Sequence, residues 1–191
     1  MKNILGINAS PREEGNTWRL LARFLWGAVE DGGSSGTAVL NSLKFSPCQE
    51  CENLPDDNRK CIVQDELQQI FPKVDEADVI IFASPIFFGS LSAQAKMFID
   101  RFQCHWRAKE LLGLDLGQKR KKGVFLCVEA SERDDFQQNA KAIVKNFFAT
   151  INAEYTGEIL CKGVDSKGAI LKRPEVLEEA AALGKSLRTD I

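Results

Sequence analysis

Three stretches of this 191-residue chain place reactive or hydrogen-bonding side chains at spacings that chemistry can use. In Cys48-Gln49-Glu50-Cys51 two thiols have two residues between them, and nine further residues separate Cys51 from Cys61. Such spacing suits a zinc ion, an iron–sulfur cluster or a reversible disulfide. A four-thiolate site would still lack a ligand, and Cys104, Cys127 and Cys161 are candidates only in number. In Asn8-Ala9-Ser10-Pro11-Arg12-Glu13-Glu14-Gly15-Asn16-Thr17, Ser10, Asn16 and Thr17 offer hydrogen-bonding groups, Gly15 admits close backbone approach and Arg12 supplies charge. Ahead of a helix, this set suits a phosphate held by free N–H groups and the positive end of the helix dipole. The same residues also read as helix caps and an ordinary turn. Neither glycine fingerprint of nucleotide-binding loops is present. In Ser84-Pro85-Ile86-Phe87-Phe88-Gly89-Ser90, the two phenylalanines either plug a core or wall a flat aromatic ligand, with Gly89 letting the backbone come close.

These stretches need elements to carry them to one place. Apolar segments recur at residues 2–7, 37–43, 78–83, 123–130 and about 155–161, and the third and fourth are almost unbroken, as in strands covered on both faces. Residues 17–30 put Trp18, Leu21, Leu25 and Ala28 on one helical face with Leu20 and Phe24 beside them, so Trp18 and Trp26 read as packing residues. Residues 91–104, 134–151 and 174–189 share that period, whereas a helix over 65–76 should kink or end at Phe71, before Pro72. The alternation predicts an α/β fold: one domain over residues 1–191 with a doubly wound five-stranded parallel sheet of order 2-1-3-4-5.

In such a sheet, ligands bind outside the carboxyl ends of the strands. Loops 8–17, 44–64, 84–90 and 129–134 then share one edge, and loops 31–36 and 117–122 lie at the other. The basic run Lys119-Arg120-Lys121-Lys122 therefore reads as a solvated turn, and Gly32, Gly33 and Gly36 as a helix stop and turn. Cys127 and Cys161 fall in strands and read as small core residues. His105, the single histidine, reads as a surface or capping residue in no recognisable nucleophile context. Lys96 and Asp100 form an i,i+4 pair that stabilises its helix. Trp106 precedes a charged insert, Arg107 to Lys122, suited to a subunit contact or a lid.

Composition narrows the function classes. A formal charge of −2 supplies no general field for nucleic acid or an anionic membrane, and no apolar run is long enough to span a bilayer. The opening MKNILGINAS is too short and too soon polar for a signal peptide, which sets the expectation of a cytoplasmic protein with reduced thiols.

A phosphate loop after strand 1 and an aromatic loop after strand 3 match the two ends of a flavin mononucleotide. Taken with the cysteine loop and the block ADVIIFASPIFFGSLSAQAKMFIDRF, they make the chain resemble the NADPH-dependent FMN reductase family, in its iron–sulfur flavoprotein-like branch. Ser84-Pro85, Gly89-Ser90, Ala93-Gln94, Lys96, Phe98 and Asp100-Arg101 carry most of the likeness, and the stretch from Gly168 to Lys185 resembles the family's closing helix.

The resemblance implies a flavodoxin-like fold. It implies that Ser10, Arg12, Asn16 and Thr17 hold the FMN phosphate and that Pro85, Ile86, Phe87, Phe88 and Gly89 border the isoalloxazine. Phe87 stands where many relatives carry Tyr, and the acidic loop Glu129 to Asp134 lacks the usual glycine. The implied activity is electron transfer from NADPH or NADH through FMN to a small acceptor, without a catalytic acid or base from the protein. The alternative is an electron carrier without nicotinamide activity, although such carriers are usually far more acidic. Relatives with a [4Fe–4S] cluster carry C-x2-C-x2-C and a later fourth cysteine. Cys48, Cys51 and Cys61 match three of these, and Leu54 stands at the remaining one, leaving cluster, disulfide and packing readings open. The family also implies a homodimer or homotetramer.

Overall fold

The computed structural model describes residues 2–30, 34–51, 61–114 and 119–189. Within them, strands β1 (Asn3–Asn8), β2 (Ser34–Val39), β3 (Val79–Phe87), β5 (Lys121–Val128) and β6 (Ala153–Cys161) form a parallel sheet in the order β2-β1-β3-β5-β6. A two-residue strand, β4 (Ser90–Leu91), folds back antiparallel on β3 and brings the strand count to six, where five were expected. The five long strands follow the expected 2-1-3-4-5 order.

The unbroken apolar runs of the central strands are explained by two cores. Leu5 and Ile7 of β1, Ile80 and Phe82 of β3, and Phe125 and Cys127 of β5 point to one face. Their neighbours Ile4, Val79, Ile81, Val124 and Leu126 point to the other, as the two-residue period of a strand requires. The first face is covered by α2 (Phe71–Glu76), α3 (Ala93–Asp100) and α5 (Asp134–Thr150), which share a cluster of phenylalanines. Phe98 and Phe102 lie 5.1 Å apart between ring centres, and Phe102 and Phe147 5.2 Å, within the range of favourable aromatic pairs. The second face is covered by α1 (Asn16–Val29) and α6 (Pro174–Thr189). These two helices cross with backbones almost touching, since a Cβ on Gly27 would lie 2.1 Å from the Ala181 carbonyl oxygen.

Several boundaries differ from expectation. Strand β2 begins earlier, at Ser34, and gives way to a 3₁₀ turn over Leu40–Ser42, so Gly36 belongs to a strand; Gly32 and Gly33 lie outside the described residues. Pro72 starts a helix in place of ending one: it sits in the first turn of α2, where the N–H it lacks has no intrahelical partner. The helix expected over 91–104 is broken into α3 and α4 (Gln103–Trp106), and a π-turn over Arg107–Leu111 follows. The chain leaves helical geometry at Phe102 (φ −86°, ψ 7°). Trp26 is 48% exposed, with Arg23 over its ring, so it is not a core residue. Lys121 is not part of a solvated turn either. It is buried in β5, where Nζ donates to the carbonyls of Lys119 and Ile151. His105, expected at the surface, is buried against Phe71 and Phe102. No helix among the described residues is long and apolar enough to cross a membrane.

Candidate functional site

Parallel pairing of β1 with β3 sets Asn8 beside Ala83, so the loops after both strands leave the sheet side by side. Two further bonds join them. The Ala9 N–H donates to Ala83 O at 2.8 Å, and Ser92 Oγ donates to Ala9 O at 2.7 Å. Ser92 is also the N-cap of α3, accepting from the Ala95 N–H at 3.2 Å. One hydroxyl thus starts a helix and fixes the first loop against the third.

The first loop is wound tightly about Ser10. Its Oγ accepts from the Arg12 N–H at 3.2 Å, and its own N–H donates to Asn8 Oδ1 at 3.1 Å. The loop ends at Gly15, the N-cap of α1, where no side chain caps the helix and no acidic residue enters the first turn. A 14-residue helix with an open N-terminus and buried Ser10 and Thr17 beside it is suited to an anion. A cleft of about 410 Å³ there is lined by Asn8, Ser10, Arg12, Trp18 and Asn41, with the carboxylates Glu13 and Glu14 also on its wall. Asn41 closes one side, donating to Pro11 O at 3.3 Å and accepting from Gln94 Nε2 at 3.2 Å.

Two of the four residues named for the phosphate are engaged elsewhere. Asn16 donates from Nδ2 to Ser166 O at 2.9 Å and accepts the Ile170 N–H at 3.3 Å. Arg12 donates from Nη1 to Asp165 O at 2.8 Å. Both side chains clasp the segment that follows β6, while Ser10 and Thr17 remain at the helix end.

The aromatic stretch is a hairpin more than a loop. Strand β3 runs on through Phe87, and Phe87 pairs with Ser90 across the two-residue turn Phe88-Gly89. Both turn residues have positive φ, 50° and 73°, as a type I′ hairpin requires. Asn-Gly is the usual occupant, and a bulky Phe in the left-handed region carries strain. Yet Phe88 is fully exposed and Phe87 is 40% exposed. Gly89 packs so closely on Phe136 of α5 that a Cβ would lie 2.9 Å from the ring. Asn139 of α5 donates to Gly89 O at 2.9 Å. Ile86 points into the core, so only its backbone faces outward, and Pro85 is half-buried.

The loop after β5 begins with Glu129, which is buried with neither carboxylate oxygen hydrogen-bonded among the described residues. Burial pushes its carboxyl above the usual range, and Glu132, Asp135 and Asp134 add to the shift against Lys162. The sequence marks it only as the first residue of an acidic loop, because nothing in its spacing signals burial.

A second cavity, of about 320 Å³, lies where the cysteine loop meets α4. Cys48, Cys51, Cys61 and Cys104 all line it, together with Arg101, Trp106 and Arg107. Cys104, a candidate only by number in the sequence, is brought to the loop cysteines by the break between α3 and α4. Cys127 and Cys161 are buried in the sheet cores, as expected of them. Leu54 lies outside the described residues. Arg101, its side chain fully buried, donates from Nε to Cys61 Sγ at 3.1 Å and pairs through Nη1 with Asp65 Oδ2 at 2.6 Å. It also donates to the carbonyls of Ser46 and Val63. Arg107 donates to Cys51 O at 2.9 Å. Burial pushes the Cys104 thiol up to about 12, which disfavours its thiolate. The spacing of Arg101 and Cys104, three apart near a helix end, was a signal that the sequence offered.

The family model for NADPH-dependent FMN reductase matches residues 2–153. An iron–sulfur flavoprotein of Methanocaldococcus jannaschii is 34% identical over 145 residues, 76% of this chain and 70% of that one. An iron–sulfur flavoprotein of Methanosarcina thermophila is 33% identical over 98 residues, 51% of each chain. The solved NAD(P)H:quinone oxidoreductase from Methanothermobacter marburgensis superposes with a TM-score of 0.68 at 18% identity, covering 99% of this chain and 97% of that one.

Proposed function

From the premise that this chain belongs to the NADPH-dependent FMN reductase family, we propose that it binds FMN at the carboxyl edge of β1 and β3. There it passes electrons from NADPH or NADH to a small acceptor: a flavin, a quinone or a metal ion. The observation that carries this reading is the exposed, left-handed Phe88 on a hairpin that Ser92 ties to Ala9, in the loop that leads to the uncapped N-terminus of α1. An apolar ledge and an anion seat on one rigid edge fit the two ends of FMN.

FMN, when bound, would supply the hydride and electron-transfer chemistry between nicotinamide and acceptor. The protein's part is to hold and orient. The N–H groups of the first turn of α1 and the hydroxyls of Ser10 and Thr17 would hold the phosphate. Arg12 is exposed and reaches the same cleft once it releases Asp165 O. Phe87, Phe88 and the backbone of Pro85, Ile86 and Gly89 border the ring. Gly89 is fixed from behind by Phe136 and Asn139, so the hairpin presents a set surface. No side chain at this edge is assigned a proton.

Anaerobic stopped-flow mixing of the FMN-loaded protein with NADPH, and separately with NADH, tests the reading. Bleaching of the flavin by either is expected, and a flavin that stays yellow with both overturns the reductase. The cysteine-lined cavity and the names of the two relatives favour a second reading, an electron carrier supplied by a protein partner. That reading survives only if FMN binds and neither nicotinamide reduces it. A homodimer or homotetramer is proposed on family grounds, and a monomeric mass by light scattering would remove it.

A further inference from the structure

We propose that Glu129, at the end of β5 and outside the β1–β3 edge, takes up a proton when the flavin is reduced and so ties the potential of bound FMN to pH. This rests on the FMN reading, with the ring against the β3 hairpin. Glu129 acts through the layer behind that hairpin and not on the reacting atoms, so it is a positioning residue for charge.

Strand register puts Glu129 behind the seat of the ring. Val128 pairs with Pro85, so Glu129 stands one residue further on, level with Ile86 and one strand spacing, ~5 Å, from it. Phe125 and Cys127 turn to the face that α5 covers, and the two-residue period sends Glu129 to the same face. Ile86, Phe136 and Ala140 pack there, and Phe136 is the ring against which Gly89 of the hairpin rests. The backbone is held on both sides: the Glu129 N–H donates to Cys161 O at 2.9 Å, and the Val164 N–H donates to Glu129 O at 2.9 Å.

Among the described residues the carboxylate has no hydrogen bond that would keep it charged. Both oxygens are buried and unpartnered, and so is Nε2 of the buried Gln137 of α5. An unpaired acceptor and an unpaired donor in one layer cost stability. Burial acts most strongly against the charge on Glu129, and Glu132 of its own loop with Asp134 and Asp135 of α5 act in the same direction. Lys162, after β6, acts the other way, but it is ion-paired with Asp134. Arg133 is likewise paired with Asp135, and Lys141 further along α5 with Glu158. The neighbouring Cys127 thiol is pushed up, chiefly by burial, and stays neutral. A carboxyl this poorly held changes its charge when the charge beside it changes.

Reduction supplies that change. Two electrons pass from the reductant to FMN and leave the ring more negative unless protons follow. In the proposed step a buffer acid gives up one proton, and an O–H bond forms on Glu129 as the bond in the acid breaks. No bond joins Glu129 to the flavin. Across roughly 10 Å of protein interior, the added charge raises the carboxyl's proton affinity about tenfold. Where Glu129 is protonated with either form of the flavin it has no effect on reduction. At higher pH its carboxylate makes reduction harder.

The test is the midpoint potential of FMN bound to the full chain, titrated anaerobically with dithionite against a reference dye from about pH 5 to about pH 9. Native protein, Glu129→Gln and Glu132→Gln are compared. At about pH 9 Glu129→Gln should bind reduced FMN, relative to oxidised, about tenfold more tightly than the native chain does, and at about pH 5 the two should agree. Glu132→Gln removes an exposed charge from the same loop and should change that ratio less than about twofold at either pH. Across the same range, the native chain's reduced-minus-oxidised infrared spectrum should gain the C=O band of a protonated carboxyl. Curves for native and Glu129→Gln that coincide or run parallel overturn the proposal, as does a native spectrum without that band. A native chain that binds no FMN overturns the flavin reading and this proposal with it, whereas bound FMN with parallel curves overturns this proposal alone.

Discussion

Arg101 donates from Nε to Sγ of Cys61 across 3.1 Å while the same guanidinium is ion-paired with Asp65. The arginine side chain is wholly buried and the aspartate 12% exposed, so the pair is a structural bolt between α3 and the cysteine loop. Burial works against charge on Asp65, but bonds from Arg101 and the N–H groups of Ser46 and Leu67 outweigh it and hold the carboxyl below its ordinary 3.8. A lowered folded value means stability that is present above pH 3.8 and lost as pH falls through the folded value. Asp65→Asn should cost ~3 kcal/mol at pH 7, because it leaves a buried cation uncompensated. Urea unfolding should show the gap between variant and native protein narrowing as the pH drops below 3.8. A gap independent of pH would remove the ion pair from the account.

The strained turn gives a prediction with two opposite signs. Phe88→Asn places a residue that tolerates positive φ in the same hairpin. The flavin-free protein should gain about 1 kcal/mol in thermal unfolding as strain is relieved. FMN affinity should fall roughly tenfold, ~1.4 kcal/mol, as the aromatic wall is lost. Fluorescence titration reads the second effect, and unchanged affinity would take Phe88 out of the ring site.

The sheet order was legible because its evidence is repetitive: unbroken apolar strands and periodic helices leave few ways to wind the chain. The first and third loops were legible because their residue types are unusual together. What escaped depended on tertiary placement. Lys121 looks like one of four solvated cations, yet strand register turns it inward. His105 and Cys104 sit in a segment whose helical period is broken at Phe102, and only the break swings Cys104 toward the loop. Asn16 shows the converse: its identity suited a phosphate, and its partner proved to be a segment about 150 residues away.

The crossing of α1 and α6 depends on two absent side chains. A Cβ on Gly27 would lie 2.1 Å from Ala181 O, and one on Gly184 would lie 2.3 Å from Phe24 O. Neither obstacle is a flexible side chain, so a helix must move. Gly27→Ala or Gly184→Ala should cost ~3 kcal/mol despite the better helix propensity of Ala. Gly36→Ala, where the nearest atom is Leu5 Cδ1 at 4.0 Å, should be close to neutral in the same thermal melts. Equal behaviour of the three variants would contradict the close crossing.

Glu129 is the last test, and its sign is the reverse of Asp65. Its carboxyl is buried without a hydrogen-bond partner among the described residues, and burial raises it above its ordinary 4.5. A raised folded value means that the acid form is tolerated and the carboxylate is not. Stability is therefore fully present below pH 4.5 and lost as pH rises through the folded value. Glu129→Gln keeps the shape and removes the charge. It should match the native protein at pH 4 and exceed it by roughly 1 kcal/mol at pH 8, read from urea midpoints at the two pH values. A variant less stable than the native chain at pH 8 would mean that the ionised carboxylate has a stabilising partner after all.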